Sequence, residues 1–223
     1  NLSPRGRMDK ESVAVIVRKV KGLVTSRIGG IVLNTSDTIV ISMFLGLNAL
    51  AIYQNYFFII TAVCGLISTF LSGALAGVGN CIVTDTKEKN YRDFKRLTFM
   101  FAGIVCVCTN CFLVLYQPFM KLWMGADKML PMSMVILFCV YFVLYEYGQL
   151  FGLYKNGAGL WYEDRFRPLV TAMANLTLNL LLVRYIGLYG VLASTVLSTL
   201  LIGMPWLLHN LFSTLFHMSV MDY

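Results

Sequence analysis

The stretch AIYQNYFFIITAVCGLISTFLSGALAGVGN, residues 51–80, runs for thirty residues without a charged side chain. A helix rises about 1.5 Å per residue, so roughly 20 apolar residues cross the hydrocarbon core of a bilayer. Helices buried inside soluble proteins rarely stay uncharged over such a length. This segment predicts an integral membrane protein.

The flanking sequence has the same character. Hydrophobic residues make up 58% of the chain and charged residues 13%, whereas about 25% of a soluble domain is charged. The apolar runs predict six membrane spans, at 28–46, 51–79, 97–117, 130–152, 167–186 and 188–211. We therefore expect an all-α bundle of about six transmembrane helices over 28–211. A basic amphipathic segment, 1–27, is expected at the membrane interface before it, and a C-terminal tail, 212–223, after it.

The basic residues predict the topology of this bundle. The segment before the first span carries seven Lys and Arg, the 80–96 loop five and the 153–167 loop three. The intervening loops carry none at 46–51, two at 117–130 and one beside 186–188. The positive-inside rule places the basic segments in the cytoplasm, and by parity both termini are expected there. The net charge of +7 does not follow one face, so no nucleic-acid partner is expected.

Polar side chains inside the first span are the clearest functional signal, because such groups are costly in hydrocarbon. At about 100° per residue, five of them fall within roughly 140° of one another: Arg27, Asn34, Asp37, Thr38 and Ser42. An ionised Asp37 near mid-span must face water, a cation or a partner helix, or else take up a proton. The pattern predicts a cavity wall or an ion or proton site, and a hydrogen-bonded helix interface is the alternative.

Two further polar residues lie in other spans. Glu146, in the fourth span, is a second ion or proton candidate, or pairs with a base such as Lys155. Asn55, near the outer end of the second span, is a candidate for lining a cavity. Small residues recur along the second span and predict close helix packing: Ser68, Ser72, Gly73, Ala76 and Gly77.

No signature of catalysis or of a cofactor accompanies these residues. The chain has no P-loop, HExxH, GxSxG or glycine-rich dinucleotide turn, and every loop is short. A membrane-embedded polymerase or ligase usually needs a large external loop, which 117–130 is too short to provide. The six cysteines lie in or beside apolar runs and are expected to be packing residues without disulfides or metal. We therefore expect neither an enzyme nor a cofactor.

A series of short segments, in order along nearly the whole chain, carries a family resemblance. They are RIGG at 27–30, NTSDTIVIS at 34–42, FLGL at 44–47, AIYQNY at 51–56, GVGN at 77–80, YRDFKR at 91–96, GLW at 159–161, DRFRPL at 164–169, NL at 175–176 and GLYGV at 187–191. The chain resembles the second half of bacterial polysaccharide-biosynthesis transporters. These are flippases for lipid-linked O-antigen, capsule or exopolysaccharide repeat units, within the multidrug/oligosaccharidyl-lipid/polysaccharide exporter superfamily.

The resemblance implies one lobe of a two-lobed transporter in the bacterial cytoplasmic membrane, working by alternating access. The first lobe of the same protein, membrane lipid and the lipid-linked oligosaccharide would be its partners, with a polysaccharide polymerase or glycosyltransferases as further ones. The chain does not begin with Met, and we expect it to be truncated.

For an anionic headgroup, the resemblance makes Arg27 and Arg167 candidates for phosphate contacts, with positive-inside anchoring as the alternative. The remaining candidates for the substrate cavity are Asn34, Asn55 and Asn175. Asp37 and Glu146 are the candidates for ion or proton coupling, and Asp37 could instead only shape the cavity. A multidrug/cation exporter of the same superfamily and a non-transporting scaffold for polysaccharide assembly are the alternatives.

Overall fold

The computed structural model describes residues 10–218, so residues 1–9 of the predicted basic segment and 219–223 of the predicted tail lie outside it. It contains six long helices: α1 (Lys10–Phe44), α2 (Gly46–Thr84), α3 (Lys87–Met124), α4 (Met132–Gly157), α5 (Arg167–Ile186) and α6 (Leu188–Phe216). One 3₁₀ turn, Ala126–Lys128, lies between α3 and α4. No strand occurs among the described residues, and the predicted all-α fold is confirmed.

Five of the six helices, α2 to α6, are long and apolar enough to cross a membrane. The exception is α1, which is long enough but less apolar, because its second half contains Asn34, Asp37 and Thr38. The chain is therefore a multi-pass helical membrane protein, with one helix that carries polar groups to the middle of the bundle.

The helix ends follow local chemistry. Pro168 lies in the first turn of α5, where its missing N–H costs nothing. Gly187 separates α5 from α6 with φ of 56°, a conformation that glycine adopts without strain. Thr86 caps α3 by accepting a hydrogen bond from the Lys89 backbone nitrogen at 3.4 Å.

The helices are mostly longer than the predicted spans: α2 continues to Thr84, α3 runs from Lys87 to Met124, and α4 ends at Gly157. The two ends of the chain differ from the prediction as well. A single helix, α1, runs from Lys10 through the expected junction at 27–28, so the amphipathic segment continues the first span instead of forming a separate helix. At the other end of the chain, α6 continues past 211 to Phe216. Phe212 and Phe216 are buried against Phe94, with ring centroids 5.9 and 5.3 Å away, and this contact extends the helix.

The helices alternate in direction, which gathers the basic residues at one end. The end of α2 meets the end of α4, where a methyl group added at Gly79 would lie 3.6 Å from the Gly157 carbonyl oxygen. The start of α1 meets the loop before α5, and Asn210 of α6 donates to the Glu163 carbonyl at 3.4 Å. We call this the basic end: it holds the 85–86 turn and the 158–166 loop. At the opposite end the basic residues of the described range are few: Lys121, Lys128 and Arg184.

The bundle consists of two groups of three helices. In the α1–α5–α6 group, both α1 and α6 pack along α5. A methyl group added at Gly29 would lie 2.5 Å from the Leu169 nitrogen, and one at Gly190 would lie 2.6 Å from the Leu182 carbonyl carbon. In the α2–α3–α4 group, both α2 and α3 pack along α4. The two groups meet where α1 contacts α2 and where α4 contacts α6, and a cavity lies between them.

The α2–α3–α4 group is tied together at the opposite end. The Tyr56 hydroxyl accepts a hydrogen bond from the Leu130 nitrogen at 3.0 Å, and Gln117 Nε2 donates to the Leu130 carbonyl at 2.6 Å. The Tyr116 hydroxyl donates to the Tyr56 carbonyl, and their rings stack 5.4 Å apart. Trp123 Nε1 donates to Asn55 Oδ1 at 3.2 Å. These contacts close this end of the group.

Candidate functional site

A cavity lies between the two groups of helices and has two connected chambers. The inner chamber, about 440 Å³, lies at mid-height, and the mouth chamber, about 490 Å³, lies at the basic end. The same residues of α1, α4, α5 and α6 line both chambers: Leu33, Asn34, Gly148, Gln149, Arg167, Thr199 and Gly203. The two chambers therefore form one path from the basic end to the middle of the bundle. Beside this path α6 widens into a π turn, Thr199–Gly203, an irregularity that is frequent at functional sites.

The mouth chamber is positively charged. Arg27, Lys155 and Arg167 line it, and two of these three cations share one buried carboxylate, Asp164. Asp164 Oδ1 lies 2.7 Å from Arg167 Nε, and its Oδ2 lies 2.9 Å from Arg167 Nη2 and 3.2 Å from Lys155 Nζ. Arg27 is exposed and has no salt bridge among the described residues. Three cations and one carboxylate leave the mouth with a net positive charge.

The loop between α4 and α5 builds this cluster locally. Asp164 and Arg167 are three residues apart at the start of α5, a spacing that brings their side chains together. Tyr162, in the same loop, lies between two guanidinium groups, with Arg18 3.8 Å and Arg165 3.7 Å from its ring centroid. Because Arg18 belongs to α1, this stacking fixes the amphipathic half of α1 against the loop that carries Asp164.

A buried hydrogen-bond network forms one side of the inner chamber. Asp37 Oδ1 accepts from Asn179 Nδ2 at 2.7 Å, and its Oδ2 accepts from the Thr195 hydroxyl at 2.8 Å. Asn175 Nδ2 donates to Thr195 Oγ1, and Asn175 Oδ1 accepts from the Ser36 hydroxyl, both at 2.8 Å. The network joins α1, α5 and α6, so Asp37 both lines a cavity and takes part in a helix interface.

Aromatic rings of the other group form the facing wall. Tyr53 and Phe57 of α2 and Tyr141 and Tyr145 of α4 all line the inner chamber. Their centroids lie 5.6 Å apart from Tyr53 to Phe57, 5.5 Å from Phe57 to Tyr141 and 5.9 Å from Tyr141 to Tyr145. The four rings therefore form a continuous row, which we call the aromatic wall.

The structure brings together four of the residues singled out from the sequence. Arg27 lines the mouth chamber, Asp37 the inner chamber, and Asn34 and Arg167 both. Asn175 is fully buried in the network behind Asp37 and lines neither chamber.

Two other residues lie away from the cavity. Asn55 is bonded to Trp123 at the opposite end. Glu146 is fully buried and lines neither chamber. Its suggested pairing with Lys155 is wrong. Lys155, near the end of α4, pairs instead with Asp164 in the loop that follows this helix.

Sequence reasoning did not find Asp164 or the aromatic wall. The i, i+3 spacing of Asp164 and Arg167 was a visible signal for the first. The i, i+4 spacing of Tyr53 with Phe57, and of Tyr141 with Tyr145, was a signal for the second. Neither spacing shows which helices face each other, so the position of the chamber could not be predicted from the sequence.

Glu146 gives a stability prediction. Its carboxyl lies beside Cys64, yet neither oxygen has a hydrogen-bond partner of good geometry in the described structure. A buried polar group without a partner costs about 1–3 kcal/mol. We expect Glu146→Leu to raise the free energy of unfolding by a similar amount, measured by SDS-induced unfolding in mixed micelles. A lower stability for this variant would show that the carboxyl has a partner that supports the fold.

The chain matches no protein-family model, no curated protein and no solved structure. Its function is therefore argued from the cavity. A path with a cationic mouth suits a polar headgroup that bears phosphate, because its inner part carries amides, hydroxyls and the Asp37 carboxylate among apolar and aromatic side chains. Such a ligand would keep its anionic part at the mouth and the rest of its headgroup farther inside.

Proposed function

We propose that this chain is a lobe of a transporter that flips lipid-linked oligosaccharides, carried on polyprenyl pyrophosphate, across a bacterial cytoplasmic membrane. The observation that carries the proposal is the cavity between the two helix groups, with its cationic mouth and the polar side chains on one side of its inner chamber. Each chamber has the volume of an ordinary small-ligand site, about 300–1,000 Å³. The resemblance to polysaccharide flippases, noted from the sequence, supports the same substrate class.

The mouth chamber would hold the pyrophosphate. Charge-assisted hydrogen bonds between guanidinium or ammonium groups and phosphate are short and strong. Arg27 is free to make them, whereas Arg167 and Lys155 share their charge with Asp164. The basic end would face the cytoplasm, following the positive-inside rule, so the headgroup would enter from that side.

The inner chamber would hold the sugar. Asn34, Thr38, Gln54 and Gln149 line it with uncharged donors and acceptors. Gln54 Nε2 already donates to Thr38 Oγ1 at 3.1 Å, which bridges the two helix groups across the chamber. Such amides and hydroxyls can exchange partners with sugar hydroxyls without burying an unpaired charge.

Alternating access would move this substrate to the other side. At the opposite end the two groups are joined where the Ser133 and Tyr189 hydroxyls lie 2.5 Å apart, while the mouth chamber lies at the basic end. Transporters of this kind rock one helix bundle against another around a fixed site. The small-residue face of α2 supports a second bundle, because Gly73 and Gly77 have no neighbouring atom within 4 Å of an added methyl group. The close packing predicted for this face is not made by the described helices.

Complementation tests the proposal. The protein would be expressed from its complete gene in a strain that lacks its own repeat-unit flippase but makes a matched repeat unit. We expect surface polysaccharide to return. If the lipid-linked repeat unit instead accumulates on the cytoplasmic face, the flippase assignment is wrong.

A substitution in the mouth makes the test specific. Hydrogen bonds to charged groups contribute about 1.5–3 kcal/mol, so Arg27→Gln is expected to lower export roughly 10- to 100-fold. Arg92→Gln is the matched control, because Arg92 is an exposed residue of α3 that lines neither chamber. It removes the same charge from the same end of the bundle. Equal losses in both variants would mean that Arg27 acts only through general positive charge.

A further inference from the structure

The Asp37 carboxylate has no cationic partner within the described part of the chain. Its two hydrogen bonds come from neutral donors, Asn179 and Thr195, and no Lys, Arg or His nitrogen of residues 11–218 lies within salt-bridge distance of it. A carboxylate offers about four lone-pair sites, so two remain for a ligand in the inner chamber.

Arg167 does not neutralise this carboxylate, although it lines the same chamber. Its guanidinium is held by Asp164 through two hydrogen bonds, at 2.7 and 2.9 Å. Two of its N–H donors therefore point to the loop, and no salt bridge joins it to Asp37 among the described residues, which leaves the negative charge of Asp37 available to the chamber. The mouth and the inner chamber thus have opposite charge preferences along one path.

The aromatic wall faces the same space. Ring faces carry partial negative charge, and ammonium groups bind over them, best where several rings form a cage. Tyr53, Phe57, Tyr141 and Tyr145 form an unbroken row along the chamber. The Tyr53 hydroxyl is buried and has no hydrogen-bond partner in the described structure.

We propose that the inner chamber binds an organic ammonium group, between the Asp37 carboxylate and the aromatic wall. A divalent metal ion fits this chamber less well, because the described residues include no cluster of three His, Cys, Asp or Glu side chains and Asp37 is the one acid among them that lines the chamber. The biological meaning rests on the proposed function: the transported headgroup would carry an amine on its sugar in addition to the anionic pyrophosphate. The pairing of a cationic mouth with an anionic chamber selects such a zwitterion.

Choline and 3,3-dimethylbutan-1-ol, its neutral isostere, test the charge preference directly. Binding to the purified protein would be measured by saturation-transfer NMR in a maltoside detergent, which contains no ammonium group. We expect choline to bind about tenfold more tightly than the neutral alcohol. Equal binding of the two probes, or no binding of either, overturns the proposal.

Variants assign the preference to the chamber. Asp37→Asn keeps the shape of the carboxyl and is expected to abolish the preference for choline, whereas Glu146→Gln, the same change at an acid outside the cavity, is expected to keep it. Retention of the preference in a folded Asp37→Asn protein overturns the proposal. If Asp37→Asn does not fold, Tyr141→Leu replaces it, with an expected loss of choline affinity of about three- to tenfold.

The two proposals fail separately. Complementation without a preference for choline would leave the flippase assignment standing and refute the ammonium site. A preference for choline without complementation would support the site and identify the chain as part of a cation exporter.

Discussion

Replacing Asp164 with alanine is expected to lower the free energy of unfolding by about 3–5 kcal/mol. Asp164 is fully buried and is the shared partner of Lys155 and Arg167. Its removal leaves two cations near the bundle interior without their carboxylate, and breaking a buried ion pair costs more than its net contribution to stability. Asn210, which donates to Asp164 Oδ1 at 3.3 Å, loses a partner as well.

SDS-induced unfolding in mixed micelles measures this loss of stability. Asp85→Ala is the control, because it removes a carboxylate from a more exposed ion pair. Asp85 also forms an ion pair, with Lys89 at 2.9 Å, but the Lys89 side chain is half-exposed. Exposed pairs contribute about 0–1 kcal/mol. Similar losses in the two variants would mean that Lys155 and Arg167 find water or other partners once Asp164 is gone.

Substitution of two neighbouring glycines is expected to change stability in opposite directions. A methyl group at Gly29 would lie 2.5 Å from the Leu169 nitrogen and 2.6 Å from the Pro168 carbonyl carbon, whereas one at Gly30 would meet no atom within 4 Å. The clash at Gly29 is with backbone, which cannot rotate away, so Gly29→Ala should cost about 3 kcal/mol, the upper part of the usual range for overpacking.

Gly30→Ala is the matched control. Alanine is about 0.8–1 kcal/mol better than glycine inside a helix, so this variant should be slightly more stable than the native chain. The same unfolding assay measures both. If Gly29→Ala is as stable as Gly30→Ala, α1 and the start of α5 are not in backbone contact.

Most of the fold could be predicted from the sequence, because apolar runs and the proline and glycine residues that end helices act locally. The bounds of α5 agree with the prediction, since Pro168 and Gly187 mark its ends. The continuity of α1 could not be predicted in this way. At Gly22 this helix lies against the backbone of Trp161 and Tyr162, which are far away in the sequence.

The candidate site was predictable only in part, for the same reason. Helical periodicity places Asn34 and Asp37 on one side of α1, and both line the cavity. The aromatic wall requires α2 to pack against α4, and no property of Tyr53 or Tyr141 taken alone indicates that pairing. Glu146 shows a second limit of the sequence prediction. A polar residue in an apolar run indicates a free-energy cost of burial, but only its surroundings in the structure decide whether it contacts a ligand.

The pairing of α1 with α5 and α6 also affects how the chain is made. Ser36 bonds to a residue 139 positions later, and Asp37 bonds to residues 142 and 158 positions later. A ribosome adds about 5–20 residues per second, so roughly 7–30 s separate the synthesis of α1 from that of its partners. During this interval the polar side of α1 would face lipid unless something shields it. During biogenesis, α1 must therefore be shielded from lipid, by the membrane insertion machinery or by another helix, until α5 is synthesised.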